Sequence, residues 1–172
     1  MKNDYDSRVK EIMRRQFRTQ MHDQARRRQG VYEAMADLCD SPIERLLLAP
    51  LMFIQPKCLH PHSDWPLDPS KEHRLHVQHM VAGYRVDFAY IVTPYKEDPI
   101  RVVIECDGHN FHSSRDQRER DAEQGRRLLS AGWHLIRFTG SEIHADPEEC
   151  ADIVADTVDQ LWFGRLNRGD AA

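Results

Sequence analysis

From Gly83 to His112 the chain passes through two apolar stretches, Arg85–Val92 and Ile100–Cys106, joined by a charged turn from Pro94 to Pro99. The second is an almost unbroken run around Val102, Val103 and Ile104, the pattern of a central strand covered on both faces. Upstream, Leu75, Val77 and Met80 alternate with polar residues, which predicts a half-exposed strand from His73. Val81, Ala82 and Gly83 then form the turn back. After Gly108 releases the backbone, Ser113 or Ser114 is placed to cap a helix over residues 115–131, and Gly132 ends it. Trp133 to Phe138 predicts a fourth strand. Pro147 opens a last helix with Ile153, Val154, Val158 and Leu161 on one face, and the tail past Gly164 is expected to fray.

Two further helices precede these elements. Ser41-Pro42-Ile43-Glu44 is an S-x-x-E start with proline at the first helical position. Residues 8–28 contain no Gly or Pro, and Val9, Ile12, Met13 and Phe17 give them a narrow apolar stripe at helical spacing. The order β-β-β-α-β-α predicts an α/β fold: a mixed sheet of about four strands flanked by helices, its last strand joined by a helical crossover.

Composition narrows the class without naming a task. A length of 172 residues suits one domain, and 40% hydrophobic with 30% charged residues excludes a disordered chain. Neither a membrane-spanning run nor an apolar signal core is present, so a cytoplasmic protein with no membrane partner is expected. The net charge of -4 hides a segregation. Residues 8–28 carry eight Lys and Arg against Glu11 and Asp23, leaving the remainder at -10. That segment is either a solvated helix or an arm for a polyanion. The expected organisation is a basic helical extension over 1–30, a domain over 31–165 and a frayed tail over 166–172.

Cys39, Cys58, Cys106 and Cys150 form no CxxC pair and are expected to be free thiols. Residues 55–73 are rich in Pro and His. The Cys58-x-His60-x-His62 spacing, with His73, His76 and His79 nearby, fits no common structural zinc pattern, so a plain loop is expected.

The chemistry lies in the acids. Asp87 sits inside one strand, and Glu105 and Asp107 close the next. Ionised carboxylates in a buried strand pair are costly unless a cation or donors compensate, and a divalent metal is a common solution. Neighbouring strands lie about 4.8 Å apart, so Asp87 and Glu105 can share one ion if their register matches. Glu44 is expected to return a hydrogen bond to the Ser41 amide, a role compatible with also facing a metal pocket. Asp107 before Gly108 is equally a turn-forming pair. Arg115, Arg118, Arg120, Arg126 and Arg127 alternate with Asp116, Glu119, Asp121 and Glu123, as on a solvated helix with i,i+4 pairs.

The ordered occurrence of SPIE (Ser41–Glu44), YRVDF (Tyr84–Phe88), VIECDGHNFH (Val103–His112), Arg120-Asp121 and AGWHLIRFTGSEI (Ala131–Ile143) resembles the PD-(D/E)XK nuclease superfamily. It is most similar to the group related to very-short-patch-repair endonucleases, whose members occur as single domains or fused to helicases. The resemblance spans residues 40–145. It implies a restriction-endonuclease-like core and a Mg²⁺-dependent DNA endonuclease, with Mn²⁺ as substitute. Asp87 would then be the metal-binding Asp, Glu105 the acid of the (D/E)-X-K element, and Glu44 the helix acid that completes the pocket. The chain departs from the pattern at Asp107, which stands where the lysine belongs and which could bind metal instead. His112, matching a D-G-x-x-x-H pattern, and Arg120 are the implied replacements for the lysine, ahead of His109, whose ordinary alternative is a polar loop tip. Arg137 resembles the family's Arg in an RF pair, or pairs with a site carboxylate. The implied partners are DNA and, beyond it, a second copy of the chain or a helicase. A catalytically silent member that only binds DNA or protein is the alternative.

Overall fold

The computed structural model describes residues 26–54, 56, 73–93, 98–107 and 115–169. Residues 8–25 of the expected helix over 8–28, the Cys58–His62 stretch, Gly108, His109, His112 and the Ser113/Ser114 caps lie outside the described residues. Within them the elements are α1 (residues 26–36), α2 (Pro42–Leu51), β1 (His73–Val81), β2 (Tyr84–Val92), β3 (Ile100–Asp107), α3 (Arg115–Ser130), β4 (His134–Thr139), α4 (Gly140–Ala145) and α5 (Pro147–Gly169).

The four strands form one mixed sheet in the order β1-β2-β3-β4. The first two pairings are antiparallel and the third parallel, as a crossover through α3 requires. Helices flank both faces. One face carries the larger apolar cluster, in which Leu47, Leu48 and Leu51 of α2, Ile143 of α4, and Val154 and Val158 of α5 meet Phe88, Tyr90, Val102 and Ile104. On the other face Leu128 of α3 packs on Val81, Val86, Ala89 and Val103. Val102, Val103 and Ile104 are fully buried, which is why that strand shows no alternation in sequence.

The ends of the elements follow their local chemistry. Ser41 caps α2, its hydroxyl accepting from the Glu44 amide at 3.2 Å. At the end of α3, Gly132 takes φ 78°, the Trp133 amide donates to the Leu128 carbonyl and the Gly132 amide to that of Leu129, both at 3.0 Å. That double closure is a Schellman motif, which glycine accommodates without a Cβ clash. The β1–β2 hairpin turns on two residues only, Ala82 (φ 50°) and Gly83 (φ 88°), with Val81 still paired to Tyr84. Two positive φ values define a type I′ turn, which matches the twist of the flanking strands.

Several sequence expectations are corrected. Met80 is 61% exposed, and Val81 takes the buried place. Ile153 is also exposed, because the buried stripe of α5 runs through Cys150, Val154 and Val158 at helical spacing. Helix α5 continues past Gly164 to Gly169. Arg165 holds that end by donating to the carbonyls of Asp98 (2.6 Å) and Pro99 (3.3 Å). Finally, α4 was not anticipated. Its signal is present in the sequence as a capping box, with Thr139 and Glu142 bonding each other's backbone.

Candidate active site

The β2–β3 ladder pairs Phe88 with Ile104 and goes no further. One step beyond, the same register carried on would set Asp87 beside Glu105, the match that a shared ion needs. No backbone bond closes that step. Instead the Cys106 amide donates to Oδ2 of Asp87 at 2.7 Å, so a side-chain carboxylate fills the place of a strand carbonyl. The sheet is open here, and the acids meet at the opening.

A second irregularity faces it across β2. Gln78 of β1 falls opposite Asp87 in the hairpin register, between the pairs Val77–Phe88 and His79–Val86, but is not paired with it. Its φ is 49°, a left-handed backbone that costs an L-residue about 1–2 kcal/mol. Both strands change faces at this rung. Val77 and Phe88 belong to the larger cluster, whereas Val81 and Val86 belong to the smaller, although regular alternation would keep each pair on one side. Strain of this kind concentrates at functional sites.

From the swapped rung, Nε2 of Gln78 donates to Oε2 of Glu44 at 2.7 Å and to Oδ1 of Asp87 at 3.3 Å. Glu44 is only 5% exposed. Its carboxylate also accepts from the Ser41 hydroxyl at 2.6 Å and from the Asp40 amide at 2.9 Å. The expected return bond therefore goes to the Asp40 amide rather than to that of Ser41. Glu44 accepts from three protein donors and reaches Asp87 through an amide. An exposed ion pair between Arg85 and Asp40, 2.8 Å long, ties β2 to the segment that enters α2.

Glu105 is served from the other layer. Gln124 of α3 donates to its Oε1 at 2.7 Å, and Arg137, its neighbour in the parallel β3–β4 register, approaches Oε2 at 3.5 Å. Arg137 also donates to Oε1 of Gln124 at 3.2 Å, which closes a three-membered ring. Solvent still reaches Glu105, whose side chain is 15% exposed, and Arg137, at 30%. Asp107 is exposed at the end of β3. Arg120 is exposed on α3, one helical turn before Gln124 and on the same stripe.

The electrostatics express crowding of like charge. Burial pushes the Asp87 carboxyl above the ordinary carboxylate range, and the charges of Glu44 and Asp107 add to it, while the Cys106 amide and Gln78 oppose it. Glu105 is raised in the same way by burial and by Asp87 and Asp107, against Arg137 and Gln124. Burial and the nearby acids raise the thiols of half-buried Cys106 and buried Cys39, Cys39 to about 11, so neither is a thiolate nucleophile near neutral pH.

Among the described residues no three His, Cys, Asp or Glu side chains form a ready metal cage. The expected trio of Asp87, Glu105 and Asp107 is thus not assembled as a closed set. What remains is the pair Asp87 and Glu105, each with unused carboxylate lone pairs. That donor set fits magnesium, which takes one or two carboxylates and fills its octahedron with water and phosphate oxygens.

The sequence reading missed Gln78 and Gln124. Gln78 looked like an ordinary polar position in an alternating strand, yet counting back from the Ala82-Gly83 turn sets it opposite Asp87. Gln124 sits one turn beyond Arg120 among charged residues that gave it no distinction.

Sheet order, flanking helices and strand-end acids together define a restriction-endonuclease-like α/β domain. The model of the restriction endonuclease-like family REase_MTES_1575 matches residues 69–158, more than half of the chain, and the chain belongs to that family. The match runs from β1 into α5 and takes in Gln78, Asp87, Glu105, Asp107, Arg120, Gln124 and Arg137, with Glu44 outside it. Searches of curated proteins and of solved structures give no match. No helix among the described residues is long and apolar enough to cross a membrane.

Proposed function

We propose that this chain is a metal-dependent DNA endonuclease, related to the very-short-patch-repair group. Asp87 and Glu105 would hold Mg²⁺, or Mn²⁺ in its place. The observation that carries this reading is the open step of the sheet, where two half-buried carboxylates with raised proton affinity stand at the end of the β2–β3 ladder. Bound there, the ion would supply Lewis-acid polarisation of a phosphodiester and an acidified water. The protein's own groups do the rest. Gln124 and Arg137 fix the Glu105 rotamer, and the Cys106 amide fixes Asp87. Arg120, on the stripe that leads to the site, contacts a phosphate with a fixed charge. His112 supplies the proton transfer in place of the lysine, whose position Asp107 holds. The basic segment over residues 8–28 adds backbone contacts that fall with salt.

Supercoiled DNA incubated with Mg²⁺ or Mn²⁺ should be nicked by the native chain. Asp87→Ala and Glu105→Ala should abolish nicking while leaving the circular-dichroism spectrum intact. His112→Ala should slow it by about 10²–10⁴, the usual contribution of a general acid or base. The second reading is a silent family member that binds DNA without cutting it. It is favoured by Asp107 in the lysine position and by Arg137 already occupying Glu105. Salt-dependent DNA binding with no nicking in either metal would establish that reading instead.

A further inference from the structure

We infer that Gln78 is a positioning residue: its amide clamps the carboxylates of Glu44 and Asp87 together, and its left-handed backbone is the conformation that lets it do so. The inference rests on the metal-dependent reading above and adds a residue that the acid motif does not contain.

The clamp is a matter of donor count. Glu44 and Asp87 come from α2 and β2, and each carries negative charge in a partly dry site. An amide nitrogen has two N–H groups, and here one faces each acid, at 2.7 and 3.3 Å. The orientation of the amide is fixed by its neighbours, because its oxygen would face two acceptors if turned over. Glu44 has no freedom of its own, being held by Ser41 and Asp40 and almost fully buried. It therefore anchors Gln78, and Gln78 in turn fixes Asp87. With Oδ2 on the Cys106 amide and Oδ1 on Gln78, the Asp87 carboxylate is locked in plane, with a lone pair left on each oxygen for a cation.

The backbone supports this placement. A regular β1 residue opposite Asp87 would complete the ladder. Gln78 leaves its rung unpaired and turns to φ 49°. Both strands swap faces at that point, which brings its side chain onto the acids instead of into either apolar cluster.

The backbone and the amide can be tested separately. Gln78→Gly suits the positive φ but deletes the amide, whereas Gln78→Ala deletes the amide and keeps the strain. Mn²⁺ binding by calorimetry and thermal unfolding are measured on the full chain. The expected result is Mn²⁺ affinity at least ten-fold weaker in both variants, with the glycine variant unfolding at or above the native temperature. In a Glu44→Gln background the further loss on Gln78→Gly should shrink, since the anchor has already changed. If the native chain binds Mn²⁺ and Gln78→Gly binds it equally well, the clamp is overturned and the metal reading stands. If the native chain binds no Mn²⁺, the metal reading falls and the clamp falls with it.

Discussion

Asp87 shows how a single carboxylate is balanced between protein and solvent. Burial first, and then the charges of Glu44 and Asp107, raise its pKa, so its ionised form is the disfavoured one in the folded state. The sign follows: a raised folded pKa stabilises the fold below the unfolded value, about 4 for Asp, and that contribution is lost as pH rises through the folded value. Near neutral pH the charge therefore costs stability. In a Gln78→Gly background, where no amide N–H opposes the new side chain, Asp87→Asn still accepts from the Cys106 amide and should unfold at a higher temperature than its parent at pH 7.5. The difference should vanish near pH 3.5, where Asp87 is protonated anyway. A variant destabilised more at pH 7.5 than at pH 3.5 would contradict this balance. Two of the side chains that order the central acids, Gln78 and Gln124, were invisible as chemistry in the sequence. A neutral amide acquires a role only from what stands opposite it, and that depends on register.

At the level of the elements, turns and caps account for much of what was predictable. The Ala82-Gly83 turn carries a Cβ at φ 50°, where asparagine is better tolerated than alanine. Ala82→Asn should raise the unfolding free energy by about 0.5–1 kcal/mol, measured by urea denaturation. Thr139→Ala removes the hydroxyl that accepts from the Glu142 amide at 3.2 Å. It should cost about 0.5–2 kcal/mol, typical of a lost N-cap, and Ile143 should become less protected in hydrogen exchange. Gly132 was legible because a glycine after a helical pattern has a known conformational use. Helix α4 followed the same logic through Thr139 and Glu142 but is too short to show a periodicity, so only its cap could have announced it. The exposure of Met80 was legible, because the period of two set by Leu75 and Val77 reaches Val81 and leaves Met80 out of phase. What alternation cannot foresee is the face swap at Gln78, which sends Val81 to the smaller cluster.

Across the molecule, three layers bring α2, β2, β3 and α3 to one opening in the sheet. The stability of that arrangement should respond to cations. Mn²⁺ at a hundred times its dissociation constant should stabilise the native fold by about 2.7 kcal/mol, seen as a rise in the unfolding temperature. Asp87→Ala should show no such rise. Arg137 competes for Glu105, so Arg137→Gln should bind Mn²⁺ more tightly than the native chain if that ion pair opposes the metal. Unchanged affinity would assign Arg137 to substrate rather than to the carboxylate.

The sequence by itself determined the four strands, the helices α2, α3 and α5, their order, and the positions of the acids along β2 and β3. These are local matters, set by alternation, run length, caps and turns within a few residues. The sequence left open whether Asp87 and Glu105 would be neighbours, because the long charged stretch between β2 and β3 fixes no register by itself. Only the tertiary structure decided what those acids touch. The ladder ends after Phe88–Ile104, Gln78 gives up its rung, and Glu44 is enclosed by Asp40, Ser41 and Gln78, while Glu105 is claimed by Gln124 and Arg137 from the opposite layer. Such contacts join residues as far apart as 34 positions along the chain. Their geometry follows from how helices pack on a sheet, and no local pattern encodes it.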